Sequence, residues 1–354
     1  MDIKLNKRAQ LIRIALVFSL ALTTVLSGAS ADRNVLVTVA HATLAPATVV
    51  VDCDAGDKLQ IKLNAASAGD TLTVHGVCNE NITVRDEAAR ITIDGQGSAT
   101  IHGPSSAAAT ITVLGRNITI KGFTITGGRQ GFNVLRGGSA LIDSNTIQES
   151  AGIGIIVLQI GHARIVNNTI QFNPGGGISV QENSFARIGF LDLGGPALGN
   201  TVRKNGVAGV IVQSTSGAAL VGNSVSENDG PGVSVKGGSY AHLAANHIDS
   251  NAADGVSVSQ NSYVQLGGEA GILNAPNDTQ VPNVGFGLRV SLNSSVGGRL
   301  ATLTGADGAK KFDRSSTDAL EDQPPNNDPR CGDPNKPTGP CRCENRDRGF
   351  SICD

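Results

Sequence analysis

The chain has 354 residues and is rich in Gly (45) but poor in aromatic residues, with nine Phe, two Tyr and no Trp. This composition argues against a large aromatic-centred core and against a bundle of membrane helices. Hydrophobic residues make up 40% and charged residues 16%, which is too apolar for a disordered chain. The net charge of −2 and the lack of a basic block after the first residues argue against nucleic-acid binding.

The first residues have the layout of a secretory signal peptide. Basic residues before position 14 precede an uncharged apolar run over 14–26, and the small residues Ala29, Ser30 and Ala31 follow. We therefore expect residues 1–31 to be removed and the mature chain to be secreted, periplasmic or at the cell surface. No later apolar run approaches the roughly 18 residues of a membrane-spanning helix, so no transmembrane segment is expected in the mature chain.

Six cysteines remain after the predicted cleavage. An even number of cysteines in an exported chain predicts disulfides. Cys53 and Cys78 stand apart from the others, and a bridge between them would close a loop of about 25 residues and stabilise the fold by roughly 3–4 kcal/mol. The remaining four are Cys331, Cys341, Cys343 and Cys353. Their pairing stays open, and a zinc site there is the weaker alternative because CxxC spacing and a nearby His are missing.

From residue 131 onward the sequence is an internal repeat. Each copy begins Gly-Φ-x-Val, where Φ is apolar, so two residues of a short strand point to one side. The steps between copies are 23, 23, 32, 23, 23 and 32 residues. The glycines that open the copies are Gly131, Gly154, Gly177, Gly209, Gly232, Gly255 and Gly287.

Two more strands are predicted in each copy. The ninth and eleventh residues after the Gly are apolar in almost every copy, which indicates a second strand facing the same interior. An Asn nine residues before the Gly, followed two residues later by Ile or Val, indicates a third strand. Two sets of Asn recur at fixed places: Asn145, Asn168, Asn200, Asn223 and Asn246, and Asn173, Asn205, Asn228, Asn251 and Asn283. We expect both sets to be corner residues that accept left-handed backbone and form hydrogen bonds along the stack.

Three short strands per 23-residue turn predict an all-β fold, a single-stranded parallel β-helix solenoid of about ten coils. A leucine-rich repeat is the alternative. That fold needs a helix or an extended convex segment where this chain has β-branched residues after glycine, which favour strands.

The residues eight and ten places after each Gly are predicted to point outward from the second strand. In successive copies these pairs are His162 and Arg164, Phe185 and Arg187, Gly217 and Ala219, Tyr240 and His242, and Tyr263 and Gln265. Because rungs stack about 4.8 Å apart, we expect Tyr240 and Tyr263 to be neighbours, with Phe185 two rungs from Tyr240. Aromatic rings suit sugar C–H faces and guanidinium groups bind carboxylates bidentately, although stacked aromatics can also serve only to stabilise a ladder.

Both 32-residue steps place nine extra residues just after these outward pairs. We define loop 1 as residues 189–199 and loop 2 as residues 267–277, which would lie three rungs or about 14 Å apart. We expect the loops to wall a cleft, with Asp192 and Glu269 as their acidic members. The alternative is a pair of corner insertions that pack on the stack without a ligand.

The repeat fades after about residue 303, and the segment that follows is rich in Pro, Asn, Asp and Arg. The sequence thus predicts a signal peptide (1–31), an N-terminal linker (32–50), the β-helix (51–308) and a Pro/Asn/Cys-rich tail (309–354). We expect the tail to cap the open β edge of the last coil.

Residues 51–303 resemble the secreted right-handed parallel β-helix proteins of the pectate-lyase-like superfamily. Besides the rungs, the resemblance rests on Val51-Asp-Cys-Asp-Ala-Gly, on Gly69-Asp70-Thr71 and on Cys78-Asn-Glu-Asn-Ile-Thr-Val, which are similar to the usual cap and first coil. The resemblance implies right-handed coils with an N-terminal cap. It also implies a protein that acts on or binds acidic polysaccharides, although one such fold hosts several chemistries.

The motifs of the known enzyme branches are mostly missing. Hydrolases of the polygalacturonase type use Asn-Thr-Asp, Asp-Asp and Gly-His-Gly, whereas this chain offers Gly161-His162-Ala163 and no Asp-Asp pair. Pectin-esterase-like sites need a Trp, which this chain lacks. A lyase needs only an Arg or Lys base and Ca²⁺ or another positive clamp, so this class stays open, with Arg164, Arg187 and His242 as weak catalytic candidates.

The sequence therefore predicts an exported β-helix protein that binds an extended, acidic polysaccharide or cell-surface glycan along one solenoid face. The expected ligand-binding residues are Phe185, Arg187, Asp192, Tyr240, His242, Tyr263, Gln265 and Glu269. We expect a monomer without metal or cofactor, except for Ca²⁺ if the protein is a lyase. The alternatives are a polysaccharide lyase and a structural or adhesive cell-envelope protein without a small ligand.

Overall fold

The computed structural model describes residues 45–321. The predicted signal peptide, residues 32–44 of the predicted linker and the tail from residue 322, with its four cysteines, lie outside the described residues. Within residues 45–321, no helix is long and apolar enough to cross a bilayer.

The regular structure of the described chain consists of β-strands, most of them short, apart from one α-helix, α1 (Leu59–Ala65), and one 3-10 helix (Gly271–Leu273). In chain order the strands are β1 (Thr48–Asp52), β2 (Thr71–His75), β3 (Val77–Asn79), β4 (Ile82–Val84), β5 (Thr92–Gly103), β6 (Ile111–Val113), β7 (Ile118–Gly127), β8 (Phe132–Val134), β9 (Ser139–Asp143), β10 (Thr146–Gln148), β11 (Ile153–Val157), β12 (His162–Val166), β13 (Thr169–Gln171), β14 (Gly176–Val180), β15 (Phe185–Ile188), β16 (Thr201–Arg203), β17 (Val210–Val212), β18 (Gly217–Val221), β19 (Ser224–Ser226), β20 (Val233–Lys236), β21 (Tyr240–Ala244), β22 (His247–Asp249), β23 (Val256–Ser259), β24 (Tyr263–Leu266), β25 (Phe286–Val290), β26 (Ser295–Gly298), β27 (Gly308–Phe312) and β28 (Thr317–Leu320).

These strands stack in parallel as a β-helix of about twelve turns, close to the ten predicted. One face is a ten-stranded sheet that runs from β4 to β27. The other two faces form one 18-stranded sheet, because the long strands β5 and β7 each pass through both of them. The second strands of the repeat form the ladder that contains β9, β12, β15, β18, β21 and β24, and the third strands form the ladder that contains β10, β13, β16, β19 and β22.

The inward side chains of all three faces meet in one continuous apolar core. Every Val in the fourth place of the Gly-Φ-x-Val unit is fully buried, as the repeat predicts. These residues are Val134, Val157, Val180, Val212, Val235, Val258 and Val290. Each coil therefore stacks its apolar residues on the next copy, and the core is mostly aliphatic, with Phe123 and Phe132 as its buried aromatic members in the described chain.

Both sets of Asn form buried hydrogen-bond ladders along the stack, as predicted. In the first ladder, the backbone N–H and side-chain Nδ2 of Asn200 both donate to Oδ1 of Asn223, at 3.0 and 2.9 Å. Nδ2 of Asn223 in turn donates to the Ile188 carbonyl at 2.9 Å and to Oδ1 of Asn246 at 2.9 Å. The second ladder, from Ser150 through Asn173 to Asn283, repeats this geometry.

The left-handed backbone lies one residue before the ladder Asn, not at the Asn as expected. Ser144 (φ 55°), Asn167 (φ 56°) and Ala245 (φ 55°) each precede a member of the first ladder. The preceding residue turns the corner, which leaves the Asn side chain directed into the coil, where it can hydrogen bond.

The first coil is closed by a disulfide and by α1. Cys53 and Cys78 form a disulfide that ties the end of β1 to β3. Leu59 of α1 is fully buried in the core. Next to it, the Gln60 amide accepts a hydrogen bond from the Thr83 N–H at 2.6 Å and donates to the Thr83 carbonyl at 3.1 Å. The Gln60 side chain thus forms the hydrogen bonds that a neighbouring strand would otherwise form with the edge strand β4.

The ladders continue past the predicted boundary at residue 308. β27 pairs with β25 and β28 pairs with β26, so the last described turn reaches Leu320. The repeat motif does not reveal this turn, because Lys310 and Phe312 stand where earlier copies have an apolar residue and Val.

We predict that Val212→Asp lowers the free energy of unfolding by more than about 3 kcal/mol, because it leaves an unpaired charge among apolar neighbours. Urea denaturation would measure the loss. Ser234→Asp, at an outward position of the neighbouring strand β20, is the control and should change stability little. A normal unfolding curve for Val212→Asp would contradict the inward direction assigned to the Val ladder.

We also predict that Asn223→Ala lowers the free energy of unfolding by about 2–4 kcal/mol, because buried hydrogen-bonding groups of Asn200, Ile188 and Asn246 lose a partner. Ser224→Ala, one residue later and pointing outward, is the matched control. Equal stability of both variants would show that the ladder hydrogen bonds contribute little.

Candidate functional site

Two outward columns cross the ladder of second strands, as the sequence predicts. The first outward column contains Ser139, His162, Phe185, Gly217, Tyr240 and Tyr263, each a backbone partner of the next. The second outward column contains Leu141, Arg164, Arg187, Ala219, His242 and Gln265. The columns are continuous because successive strands pair in register, with a rung spacing of about 4.8 Å.

A surface groove of about 440 Å³ lies across four rungs of these columns, on β7, β9, β12 and β15. Its lining residues are Asn117, Ile118, Thr119, Ser139, Ala140, Leu141, His162, Ala163, Arg164, Phe185 and Arg187. No Asp or Glu of the described chain is among them. The groove is therefore apolar at its base and cationic where β12 and β15 cross it.

The basic side chains of the groove differ in how they are held. His162 and Arg164 are exposed, and within residues 45–321 neither side chain has a hydrogen-bond or ion-pair partner. Arg187, in contrast, is held by loop 1. Its Nη1 donates to the Leu191 carbonyl at 2.6 Å and lies 3.7 Å from Oδ1 of Asp192. Arg164 is thus the arginine of the groove that is free to bind a ligand.

Tyr240 and Tyr263 are neighbours on successive rungs and Phe185 lies two rungs from Tyr240, as predicted. Tyr240 and Tyr263 are backbone partners, but the ring of Tyr240 packs against Phe185, with 6.4 Å between ring centroids and a tilt of 34°. Gly217 makes this possible, because a Cβ at that position would overlap the Tyr240 ring. The hydroxyl of Tyr263 donates to Oε1 of Gln265.

Burial and the nearby Glu269 carboxylate both raise the pKa of Tyr263 above its ordinary value, so its hydroxyl stays protonated. Tyr240 and Tyr263 remain 52% and 42% exposed. Beyond Phe185, the first outward column therefore presents an open, uncharged aromatic surface.

Loops 1 and 2 do not wall an open cleft, contrary to expectation. They turn toward each other over the outside of β18 and β21, where Phe190 of loop 1 and Ile272 and Leu273 of loop 2 pack on Val221 and Ala244. Phe190, Val221 and Ala244 are buried in this cluster. Apolar side chains of both loops therefore form one cluster on the strands between them.

Each loop is also anchored by a side chain of the second outward column. Arg187 holds loop 1 through the Leu191 carbonyl. His242 holds loop 2, since its Nε2 donates to the Leu273 carbonyl at 3.1 Å and its Nδ1 lies 3.4 Å from Glu269. Two of the three catalytic candidates therefore serve as loop anchors, and Arg164 is left in the groove.

The predicted site residues fall into two groups. Arg164, Phe185 and Arg187 come together in the groove. Tyr240, His242, Tyr263, Gln265 and Glu269 lie on the other side of Phe185, and Asp192 lies on loop 1. Sequence reasoning missed Ser139 and Leu141 as lining residues, although they stand eight and ten places after Gly131 and the same offset would have found them.

The described part of the chain contains no group of three or more His, Cys, Asp or Glu side chains that could hold a metal ion. Ca²⁺ prefers carboxylate and carbonyl oxygens. Because no described carboxylate lines the groove, its side chains do not fit a calcium site.

Comparison with known proteins identifies the family. The family described as "Right handed beta helix region" matches residues 61–191 and 197–295. The chain belongs to this family. Its fold is similar to that of an alginate lyase from Paenibacillus sp. str. FPU-7, with a TM-score of 0.36 and 16% sequence identity over 77% of this chain and 98% of the lyase chain. A search of curated proteins found no match.

The segment that follows loop 2 is held by a histidine between two carboxylates. Nε2 of His247 lies 3.1 Å from Asp249, and its Nδ1 contacts Asp278. Burial alone would lower the pKa of His247, but the hydrogen bond to Asp278 and the negative charges of Asp249 and Asp278 raise it above its ordinary value. When it is protonated, the imidazole stabilises the return of loop 2 to the ladder through both carboxylates.

We predict a pH dependence of stability from this contact. Because the folded-state pKa of His247 is raised, its stabilising effect is complete below the unfolded pKa of about 6.5 and is lost as the pH rises through the folded pKa. Urea unfolding between pH 5.5 and 8.5 should show this loss, and His247→Gln should remove it. His75→Gln, an exposed histidine of β2, is the control and should keep the wild-type pH profile.

Proposed function

We propose that this protein is exported and binds an acidic polysaccharide in the groove on β7, β9, β12 and β15. The observation that carries this proposal is the groove itself, in which Arg164 is exposed and without a partner, beside the ring of Phe185 and away from any described lining carboxylate. Its volume of about 440 Å³ lies within the range of small-ligand sites.

The chemistry of the groove matches a sugar acid. The guanidinium of Arg164 can bind a uronate carboxylate with two parallel hydrogen bonds. The Phe185 ring offers an apolar face for the C–H surface of a pyranose, and the packed Tyr240 ring supports it from behind. Four rungs extend over about 14 Å, which suits a short stretch of a longer chain.

Export is supported by the disulfide in the first coil. A Cys53–Cys78 disulfide is maintained in oxidising compartments and is rare in the cytosol. An extracellular or periplasmic location would give the protein access to polysaccharides of the cell surface or surroundings.

A polysaccharide lyase is the second candidate, and the observation that favours it is the pair of His162 and Arg164. These two residues stand two places apart on one strand, so their side chains point to the same side of β12, and both are unpartnered in the described chain. In a β-elimination, Arg164 would neutralise the uronate carboxylate and neutral His162 would accept the proton from the carbon next to it. A C=C bond would form as the glycosidic C–O bond on the neighbouring carbon breaks, and the leaving oxygen would take a proton from water. A hydrolase with two catalytic carboxylates finds no support in a groove without a described Asp or Glu.

We predict that Arg164→Gln lowers the affinity for acidic oligosaccharides about 10- to 100-fold, as expected for the loss of a charge-assisted hydrogen bond. A glycan array with uronate and neutral oligosaccharides, followed by calorimetry on the strongest ligand, would measure this. Arg129→Gln is the control, because Arg129 is an exposed arginine in the turn between β7 and β8 and does not line the groove.

The outcomes separate the three functional classes. Binding of uronate glycans that depends on Arg164, without new ultraviolet absorbance from an unsaturated product, supports the binding protein. Appearance of that absorbance, with its loss in His162→Gln, supports the lyase instead. If no glycan binds, or if Arg129→Gln and Arg164→Gln behave alike, the structural or adhesive protein is the better description.

A further inference from the structure

The two outward columns have three parts that differ in charge. The rung of Ser139 and Leu141 is uncharged, and the next rung carries the unpartnered His162 and Arg164. From Phe185 onward the exposed side chains of the first outward column are aromatic and uncharged. Among the described residues of the two outward columns, Arg164 is thus the permanently charged side chain that has no partner.

Carboxylates stand beside the aromatic part of the face. Asp192 of loop 1 is 79% exposed, and Glu269 of loop 2 is 54% exposed. Asp192 faces Arg187 at 3.7 Å and so reduces the positive charge on the rung after Arg164. Glu269 lies close enough to Tyr263 to raise the pKa of its hydroxyl.

These charges act differently on two classes of acidic chain. A polymer with a carboxylate on every sugar would place one carboxylate at Arg164 and the next ones beside Asp192 and Glu269, where like charges repel. A chain with one acidic sugar among neutral ones would place the acid at Arg164 and its neutral rings on Phe185 and Tyr240. Only the second class finds favourable contacts on every rung.

We propose that the ligand is an acidic heteropolysaccharide, in which isolated uronate residues alternate with stretches of neutral sugar, and not a homopolymer of uronate. This inference rests on the proposed function. In this inference Arg164 binds the acidic sugar, and Phe185 and Tyr240 contact neutral sugars. The carboxylates of Asp192 and Glu269 repel chains that carry more negative charge.

The test uses three linear tetrasaccharides of different charge with the full chain. They are the repeat of deacylated gellan, with one glucuronate in four sugars, tetragalacturonate, with four carboxylates, and cellotetraose, with none. We expect calorimetry to give an affinity for the gellan repeat that is at least about tenfold higher than for the other two. Arg164→Gln should remove this preference over cellotetraose.

A double variant tests the excluding carboxylates. Asp192→Asn/Glu269→Gln should raise the affinity for tetragalacturonate about tenfold more than it raises the affinity for the gellan repeat, which has one carboxylate. Glu227→Gln, which removes an exposed carboxylate at a different corner, is the control and should change neither affinity. Melting curves of all variants would verify that they are folded.

The results distinguish this inference from the proposed function. Tetragalacturonate binding as tightly as the gellan repeat, through Arg164, would overturn the heteropolysaccharide and leave the acidic-polysaccharide site in place. An unchanged tetragalacturonate affinity in the double variant would also overturn it. If neither acidic tetrasaccharide binds better than cellotetraose, the proposed function itself is wrong.

Discussion

The hydrogen bond from one Asn to the Asn of the next rung is the interaction on which the rest of the structure depends. Each corner of a coil leaves backbone N–H and carbonyl groups buried without a strand partner, and such groups are costly unless they are satisfied. In the first ladder, Oδ1 of Asn168 accepts two hydrogen bonds from Asn145, and its Nδ2 donates to the Ile142 carbonyl at 2.9 Å. The ladders therefore fix the register of the coils between about residues 145 and 283, and the apolar core of these coils follows from that register.

The candidate site is a consequence of the same register. Outward residues of successive strands form straight columns only because each coil repeats the corner of the coil before it. Arg164 stands next to Arg187, and His162 next to Phe185, through main-chain pairing and not through contacts of their own. The solenoid thus presents side chains from distant parts of the sequence on one rigid surface, while Arg187 and His242 tie down the loops beside it.

Periodic features of this protein could be predicted from its sequence, and features that depend on single side chains could not. The strands, the buried Val ladder and the outward columns follow from spacing alone. The tilt of Tyr240 onto Phe185 depends on the missing side chain at Gly217, and the closure of the loops depends on how Phe190 packs, so neither has a periodic signal. The sequence prediction missed Asn277 as a member of the first ladder. Asn277 follows Asn246 by 31 residues, whereas Asn283 of the second ladder follows Asn251 by 32 residues.

The position of the two loops determines where a protein of this fold can accept insertions during evolution. Both leave the coil after a second strand, and both return at a ladder residue, which is Asn200 directly after loop 1 and Asn277 as the last residue of loop 2. Asn277 restores the ladder by donating to the Leu243 carbonyl at 2.7 Å, whatever the length of chain that comes before it. This corner therefore tolerates insertions, because segments of different length can be added beside the groove without a shift in the register of the following rungs. New binding surfaces can arise there while the solenoid stays the same.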